Sequence, residues 1–240
     1  MKKISIYLLA MAGTCLTAFA QVDRSSYPEP GPAPRINIGD PATFTLDNGL
    51  KVFVVENHKL PRVTYSLVID RDPILEGDKA GLTTLMGDML MGGTTSRSKD
   101  ELDEAIDRIG ARIGVTSTSA TASSLKKYNG QLLDLFADVL FHPAFPPSEL
   151  DKLKKQLISS LAAAKDDPSS IIGVVRNAAM YGKDHPYGET ETETTVQNLQ
   201  VADFKAYYNT YFKPNVAYLA IVGDITVAEA RDLVERYFAG

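Results

Sequence analysis

Cysteine is nearly absent from these 240 residues: the sole one, Cys15, falls within the first twenty. That segment starts with Lys2 and Lys3, continues as the apolar run ISIYLLAMAGTCLTAFA and ends on the small-x-small triplet Ala18-Phe19-Ala20. A basic start, a short apolar middle and a small-residue end mark a secretory signal peptide, expected over residues 1–20. The run is short for a membrane anchor. Lipid attachment at Cys15 ranks second, because Ala12-Gly13-Thr14 is a poor acylation context. Cleavage would leave a mature chain without a thiol, hence without a disulfide or a cysteine metal site. It would also remove two lysines and no acid, moving the formal charge from −5 to −7. The expected destination is export, to the periplasm.

Other absences narrow the function further. There is no second long apolar run, so no membrane span is expected in the mature chain. No basic patch with interleaved aromatics offsets the acidic charge, which argues against nucleic acid as a partner. Histidine is scarce: His58, His142 and His185. Within the helices as bounded below, none stands four residues from another His, Asp or Glu, the spacing that puts two metal ligands on one helical face. His142 and His185 each precede a proline and read as turn formers. No Gly-x-Ser-x-Gly elbow, phosphate-binding loop or Gly-x-Gly-x-x-Gly turn occurs. The acids Asp166 and Asp167, before Pro168, read as a solvated pair at a helix end rather than a cation site.

What remains is a well-patterned globular sequence. Residues 21–41, with Pro28, Pro30, Pro32, Pro34 and Pro41, read as an extended arm. Residues 42–240 read as one domain. Two β-rich runs flank Asp47-Asn48-Gly49, a hairpin signal, because Asn and Gly tolerate positive φ. A third strand is expected over 62–70. In AGLTTLMGDMLMGGTT, Leu82, Leu85, Met86, Met89 and Leu90 recur at helical spacing, and Gly92-Gly93 stops the helix. Ser98 and Glu101 form a capping box for the next helix, which ends at Gly110. Two strands are expected within 112–128. Helices follow at 131–141, at 147–165 with Pro147 in its first turn, at 169–182 capped by Ser169 or Ser170, and at 201–212. A buried strand over 216–224 and a helix capped by Thr226 close the chain. Strands first and helices later predict an α+β fold, a mostly antiparallel sheet covered on one face by helices. Asp88 is either a buried functional acid or an edge residue of its helix.

The order of FTLDNGLKVFVVEN, AGLTTLMGDMLMGGTTSRSKDELDEAIDRIGA, LLDLFADVLFHPAFPPSELDKLKKQL, AAKDDP, YGKDHPYG and YLAIVGDIT resembles the insulinase, pitrilysin and mitochondrial processing peptidase family over about residues 41–240. Members of that family are built from two homologous α+β halves, and this chain resembles the first. The resemblance implies a zinc helix carrying His-x-x-Glu-His, with a distant Glu as third ligand and the motif Glu as base. With Gly81 at one end and Gly93-Thr94 at the other, those positions fall on Thr84, Gly87 and Asp88. The distant Glu falls on Ser160, beside Ser159. All four have changed, so no catalytic residue, metal ligand or cofactor is expected in this chain, and the glycine is expected to leave a gap where the base would stand. In active members a strand pairs with the substrate peptide. The matching run is Gly114, Val115, Thr116 and Ser117, which serves either peptide pairing or the sheet alone.

Several branches of the family work as pairs of one zinc-bearing and one zinc-less chain. The resemblance therefore implies a non-catalytic partner subunit or half. Zinc would sit in a homologous partner chain, and a peptide or unfolded protein would be the substrate. A peptidase-independent scaffold or peptide-binding protein is the alternative. An active zinc endopeptidase with atypical ligands ranks third.

Overall fold

A computed structural model describes residues 31–33 and 39–239; the expected leader and most of the arm lie outside the described residues. Residues from Asp40 onward belong to one structural unit. Its strands are β1 (Ala42–Thr45), β2 (Lys51–Glu56), β3 (Arg62–Ile69), β4 (Arg112–Val115), β5 (Ser119–Leu125) and β6 (Ala217–Gly223). Its α-helices are α1 (Leu82–Leu90), α2 (Lys99–Arg108), α3 (Asn129–Phe141), α4 (Pro147–Ala164), α5 (Pro168–Tyr181), α6 (Glu193–Asn198), α7 (Val201–Tyr211) and α8 (Val227–Phe238).

The hairpin forms where Asn-Gly predicts it. Gly49 takes φ +91°, and Asn48 accepts the Leu50 N–H at 3.1 Å while its amide reaches the Phe238 carbonyl. The six strands run in the order β1-β2-β6-β3-β5-β4. The late strand β6 inserts between β2 and β3, parallel to β2; the other pairings are antiparallel. Alternation fixes the faces, because successive side chains point to opposite sides. Val52, Val54, Val63, Tyr65, Leu219 and Ile221 are buried, whereas Val55, Val68 and Val222 on the other face are exposed. On the covered face these residues pack with Leu102 and Ile106 of α2, Leu132, Phe136 and Val139 of α3, and Val234 and Phe238 of α8. The fold is the expected α+β layer pair.

A second core holds the residues of interest. Leu85, Met86, Met89 and Leu90 of α1 pack with Phe145, with Leu150 of α4 and with Phe204 and Tyr207 of α7. Capping follows the sequence at Ser98 and at Thr226, where both reciprocal capping boxes form. Two local expectations change. Helix α5 is capped by Asp167, not by Ser169 or Ser170; Asp167 accepts the Ser170 N–H at 2.8 Å, and Pro168 occupies the first turn. An anionic acceptor at a helix start is favoured by the dipole, and its carboxyl is held below the ordinary range by Ser170. Helix α6 is an addition. It has only six residues and no apolar period, and its Thr192–Thr195 box lacks the Glu or Gln that signals a box in sequence.

Candidate functional site

Helix α1 presents the motif positions. Its apolar residues face the second core, leaving Thr84 and Asp88, one turn apart, exposed on the outer face. Asp88 is thus an edge residue rather than a buried acid. The helix start is held by a relay of acids. Gly81 takes φ +109° and has no side chain to cap with. Glu76 caps in its place, accepting the Gly81 N–H at 2.9 Å and the Thr83 N–H and hydroxyl. Glu189 in turn accepts the Glu76 N–H at 2.9 Å, and Glu191 accepts the Thr84 hydroxyl. The hydroxyl at the first motif position is therefore committed to a carboxylate. Ser160 is exposed on α4, one turn beyond Leu157, which lies beside Gly81.

The expected gap at Gly87 does not exist. A Cβ built on Gly87 would lie 2.0 Å from the Val115 carbonyl oxygen, 2.8 Å from its carbon and 3.0 Å from the Thr116 Cα. The C-terminal end of β4 is seated directly on α1, main chain against main chain. Glycine is required there for close approach, not for an unusual dihedral. The same strand end is pinned from the other side: the Tyr207 hydroxyl donates to the Ser117 carbonyl at 3.0 Å and receives the Arg71 Nε–H at 2.8 Å. The run Gly114, Val115, Thr116 and Ser117 thus joins the sheet edge to α1 and α7. One side of β4 pairs with β5, from Arg112 opposite Ser123 to Val115 opposite Ala120. No strand pairs with its other side among the described residues.

The donor set does not suit zinc, which takes three protein ligands at a catalytic site and four at a structural one. Here stand one exposed carboxylate, two hydroxyls that bind zinc poorly, and a glycine. Among the described residues no three His, Cys, Asp or Glu side chains converge on a common point. The histidines are placed otherwise. His58 sets Nδ1 against Asp224 at 2.6 Å and Nε2 against Glu56 at 3.5 Å. Opposite ring nitrogens cannot serve one ion with those partners, and the Asp224 and Glu56 hydrogen bonds favour the imidazolium, raising the His58 pKa. His185 accepts the Tyr187 N–H and stacks on Tyr181.

His142 forms a pair that the helix bounds alone did not show. Helix α3 ends at Phe141 as expected, and His142, its cap, stands four residues from Asp138, with Nδ1 3.6 Å from the carboxylate. The other oxygen of Asp138, Oδ2, is already committed. It accepts from Thr94 at 2.8 Å, from Ser96 at 2.7 Å and from Arg97, which ties the Gly-Thr exit of α1 to α3. Burial pushes the Asp138 carboxyl up, but Ser96, Thr94 and Arg97 outweigh it and hold it below the ordinary range. A depressed carboxyl stabilises above the unfolded pKa and loses that contribution as pH falls through the folded value. Asp138→Asn is expected to cost roughly 1–3 kcal/mol at pH 7, with the gap to the parent narrowing below about pH 4. Denaturant midpoints at pH 7 and pH 3 check this; an equal gap at both refutes it.

Two family models match the chain: the insulinase family, peptidase family M16, over residues 51–194, and the peptidase M16 inactive domain over 198–240. Among curated proteins, an uncharacterised zinc protease of Bacillus subtilis, YmxG, is 27% identical over 202 residues, covering 81% of this chain and 49% of that protein. The mitochondrial-processing peptidase subunit beta of Caenorhabditis elegans is 22% identical over 200 residues, covering 81% and 43%. Among solved structures, a peptidase M16 inactive domain from Pseudomonas fluorescens shares the fold at a TM-score of 0.76 and 24% identity, covering 83% of this chain and 50% of that one. The chain spans about half the length of the curated relatives it matches.

Proposed function

The chain belongs to the insulinase family of peptidases, family M16, and from that membership we propose that it is a non-catalytic member. It would contribute peptide contacts and one wall of a chamber to an assembly whose zinc lies on a homologous chain or half. The observation that carries this reading is the Val115 carbonyl at Gly87. The space a catalytic carboxylate needs is taken by the end of the neighbouring strand, and the other motif positions carry poor ligands. Pairing of peptidase chains is supported by the similarity to a named subunit of a processing peptidase. The β4 edge supports peptide contact, because an unpaired strand can accept another strand through main-chain hydrogen bonds alone. Export rests on the leader read in residues 1–20. Among the described residues no helix is long and apolar enough to cross a membrane.

Two measurements test the proposal. The purified chain, loaded with excess zinc and then dialysed, is expected to retain far less than one equivalent by elemental analysis; stoichiometric metal counts against it. Affinity purification from the native host is expected to recover a chain bearing His-x-x-Glu-His. Repeated recovery of the chain without such a partner favours the scaffold reading instead.

A further inference from the structure

Leu60 is 70% exposed, more than any other large apolar side chain among the described residues. It stands in the turn 57–61 between β2 and β3, with Lys59 before it and Pro61 and Arg62 after it. A lone exposed leucine is ordinary. This one is not alone. The Lys126 N–H donates to the Pro61 carbonyl at 2.9 Å, so the end of β5 lies against the turn. Leu125, the residue before that bond, is 46% exposed and stands opposite Arg62 in the β3–β5 pairing. The fold thus brings two exposed leucines and the run Lys126-Lys127 to one end of the sheet.

The turn is held on both sides. The Asn57 N–H donates to the Gly223 carbonyl at 2.7 Å, and the Asp224 N–H donates to the Arg62 carbonyl at 2.9 Å. The Asn57 side chain accepts the Lys59 N–H at 3.2 Å. These bonds fix the backbone that carries Leu60, so presenting it to a partner costs little further ordering.

The charges at this tip are sorted. Its acids are engaged: His58 stands 2.6 Å from Asp224 and 3.5 Å from Glu56, and Lys126 stands 3.4 Å from Asp224 and 3.8 Å from Glu229. Lys59, Arg62, Arg112 and Lys127 form no ion pair among the described residues. Arg62 donates to the neutral Ser123 hydroxyl at 2.7 Å, Arg112 lies opposite Ser123 on β4, and Lys127 lies over the Tyr128 ring. With His58 neutral, the tip still holds more cations than acids, on a chain whose formal net charge is −5.

Exposed apolar side chains ringed by Lys and Arg suit an anionic bilayer, where the apolar groups enter the headgroup boundary and the cations meet lipid phosphates. Nucleic acid fits less well, because base stacking calls for exposed aromatic rings and the exposed apolar groups here are leucines. We propose that this tip docks the domain on an anionic membrane surface, with Leu60 and Leu125 at the headgroup boundary and Lys59, Arg62, Arg112 and Lys127 on the phosphates. The proposal does not draw on the peptidase reading. Arg112 starts β4 at the tip and Val115 ends it at α1, so the motif face lies at the far end of the strand from the docked surface.

Vesicle co-sedimentation tests it, with bilayers of phosphatidylcholine alone and of phosphatidylcholine mixed with phosphatidylglycerol. The parent chain is expected to bind the anionic vesicles about tenfold or more tighter than the neutral ones, and more weakly as salt rises. Leu60→Ser with Leu125→Ser, and separately Lys59→Glu with Lys127→Glu, are each expected to weaken that binding about tenfold. Ile172→Ser, at a position 65% exposed on α5, leaves it unchanged. All these positions are exposed, and equal thermal midpoints confirm intact folds. Failure of the parent to bind, or equal binding to both bilayers, overturns the proposal. Binding that survives both double variants also overturns it and places the lipid contact elsewhere on the chain. Loss with the glutamate pair but not with the serine pair, together with displacement by double-stranded DNA at equal phosphate concentration, makes the tip a general polyanion site and overturns the membrane assignment.

Discussion

Gly87→Ala is expected to lower the thermal midpoint by roughly 4–8 °C, a loss of about 2 kcal/mol for a domain of this size. Helix propensity predicts the opposite. Alanine in a helix interior is favoured over glycine by about 1 kcal/mol, and Gly87 has ordinary helical geometry. The contact decides the sign. The added methyl would sit 2.0 Å from the Val115 oxygen, so either α1 or the β4 end must move. Neither is free. Helix α1 is packed through Leu85, Met86, Met89 and Leu90, and the strand end is held by the Ser117–Tyr207–Arg71 bonds and by pairing to β5. Overpacking of this kind costs about 1–3 kcal/mol, occasionally more, before the propensity gain is returned. Gly173 provides the control. It lies inside α5 with nothing within 4 Å of a built Cβ, so Gly173→Ala is expected to raise stability by roughly 0.5–1 kcal/mol. The two substitutions should shift calorimetric midpoints in opposite directions. A Gly87→Ala variant as stable as the parent would mean that the β4 end yields easily and that the joint is soft.

Most of the fold was legible because its signals are local. Asn48-Gly49, the Ser98–Glu101 box, the Thr226 cap, and the spacing of Leu82, Leu85, Met86 and Met89 each act within one turn or one hairpin. The motif frame bracketed by Gly81 and Gly93-Thr94 is of another kind, since it comes from the family resemblance and not from a local signal. What the sequence hid is a contact between Gly87 and Val115, twenty-eight residues apart, made by main-chain atoms. A glycine leaves no apolar period and no charge pattern, so its loss of a side chain read as a vacancy. The Asp138–His142 pair was hidden although the helix end at Phe141 was read correctly: His142 is the cap residue just outside the helix, and its side chain still reaches back one turn. The acidic relay from Glu189 through Glu76 to α1 joins residues more than a hundred apart, and only the folded chain brings them together.

If Gly87 stands at the base position, as we propose, its contact makes that position harder to restore than the ligand positions. Thr84→His, Asp88→His and Ser160→Glu all change exposed positions, where substitutions usually stay within about 0.5 kcal/mol. The triple variant is therefore expected to fold with a midpoint within a few degrees of the parent and to gain zinc affinity, read by competition with a chromogenic chelator. Adding Gly87→Glu to that background is different. Its carboxylate must enter where the Val115 carbonyl stands, so steric overlap is compounded by repulsion between oxygens, and displacing β4 also disturbs its pairing with β5. The quadruple variant is expected to lose several kcal/mol relative to the triple and to show no zinc-dependent peptide hydrolysis, although it carries the complete His-x-x-Glu-His pattern. A stable quadruple variant that cleaves peptide would mean that β4 withdraws at little cost, and that the chain lacks only side chains. A stable triple variant beside a destabilised, inactive quadruple would instead locate the barrier in the backbone: with a strand end against the position proposed for the base, restoring the residue would not be enough to restore the site.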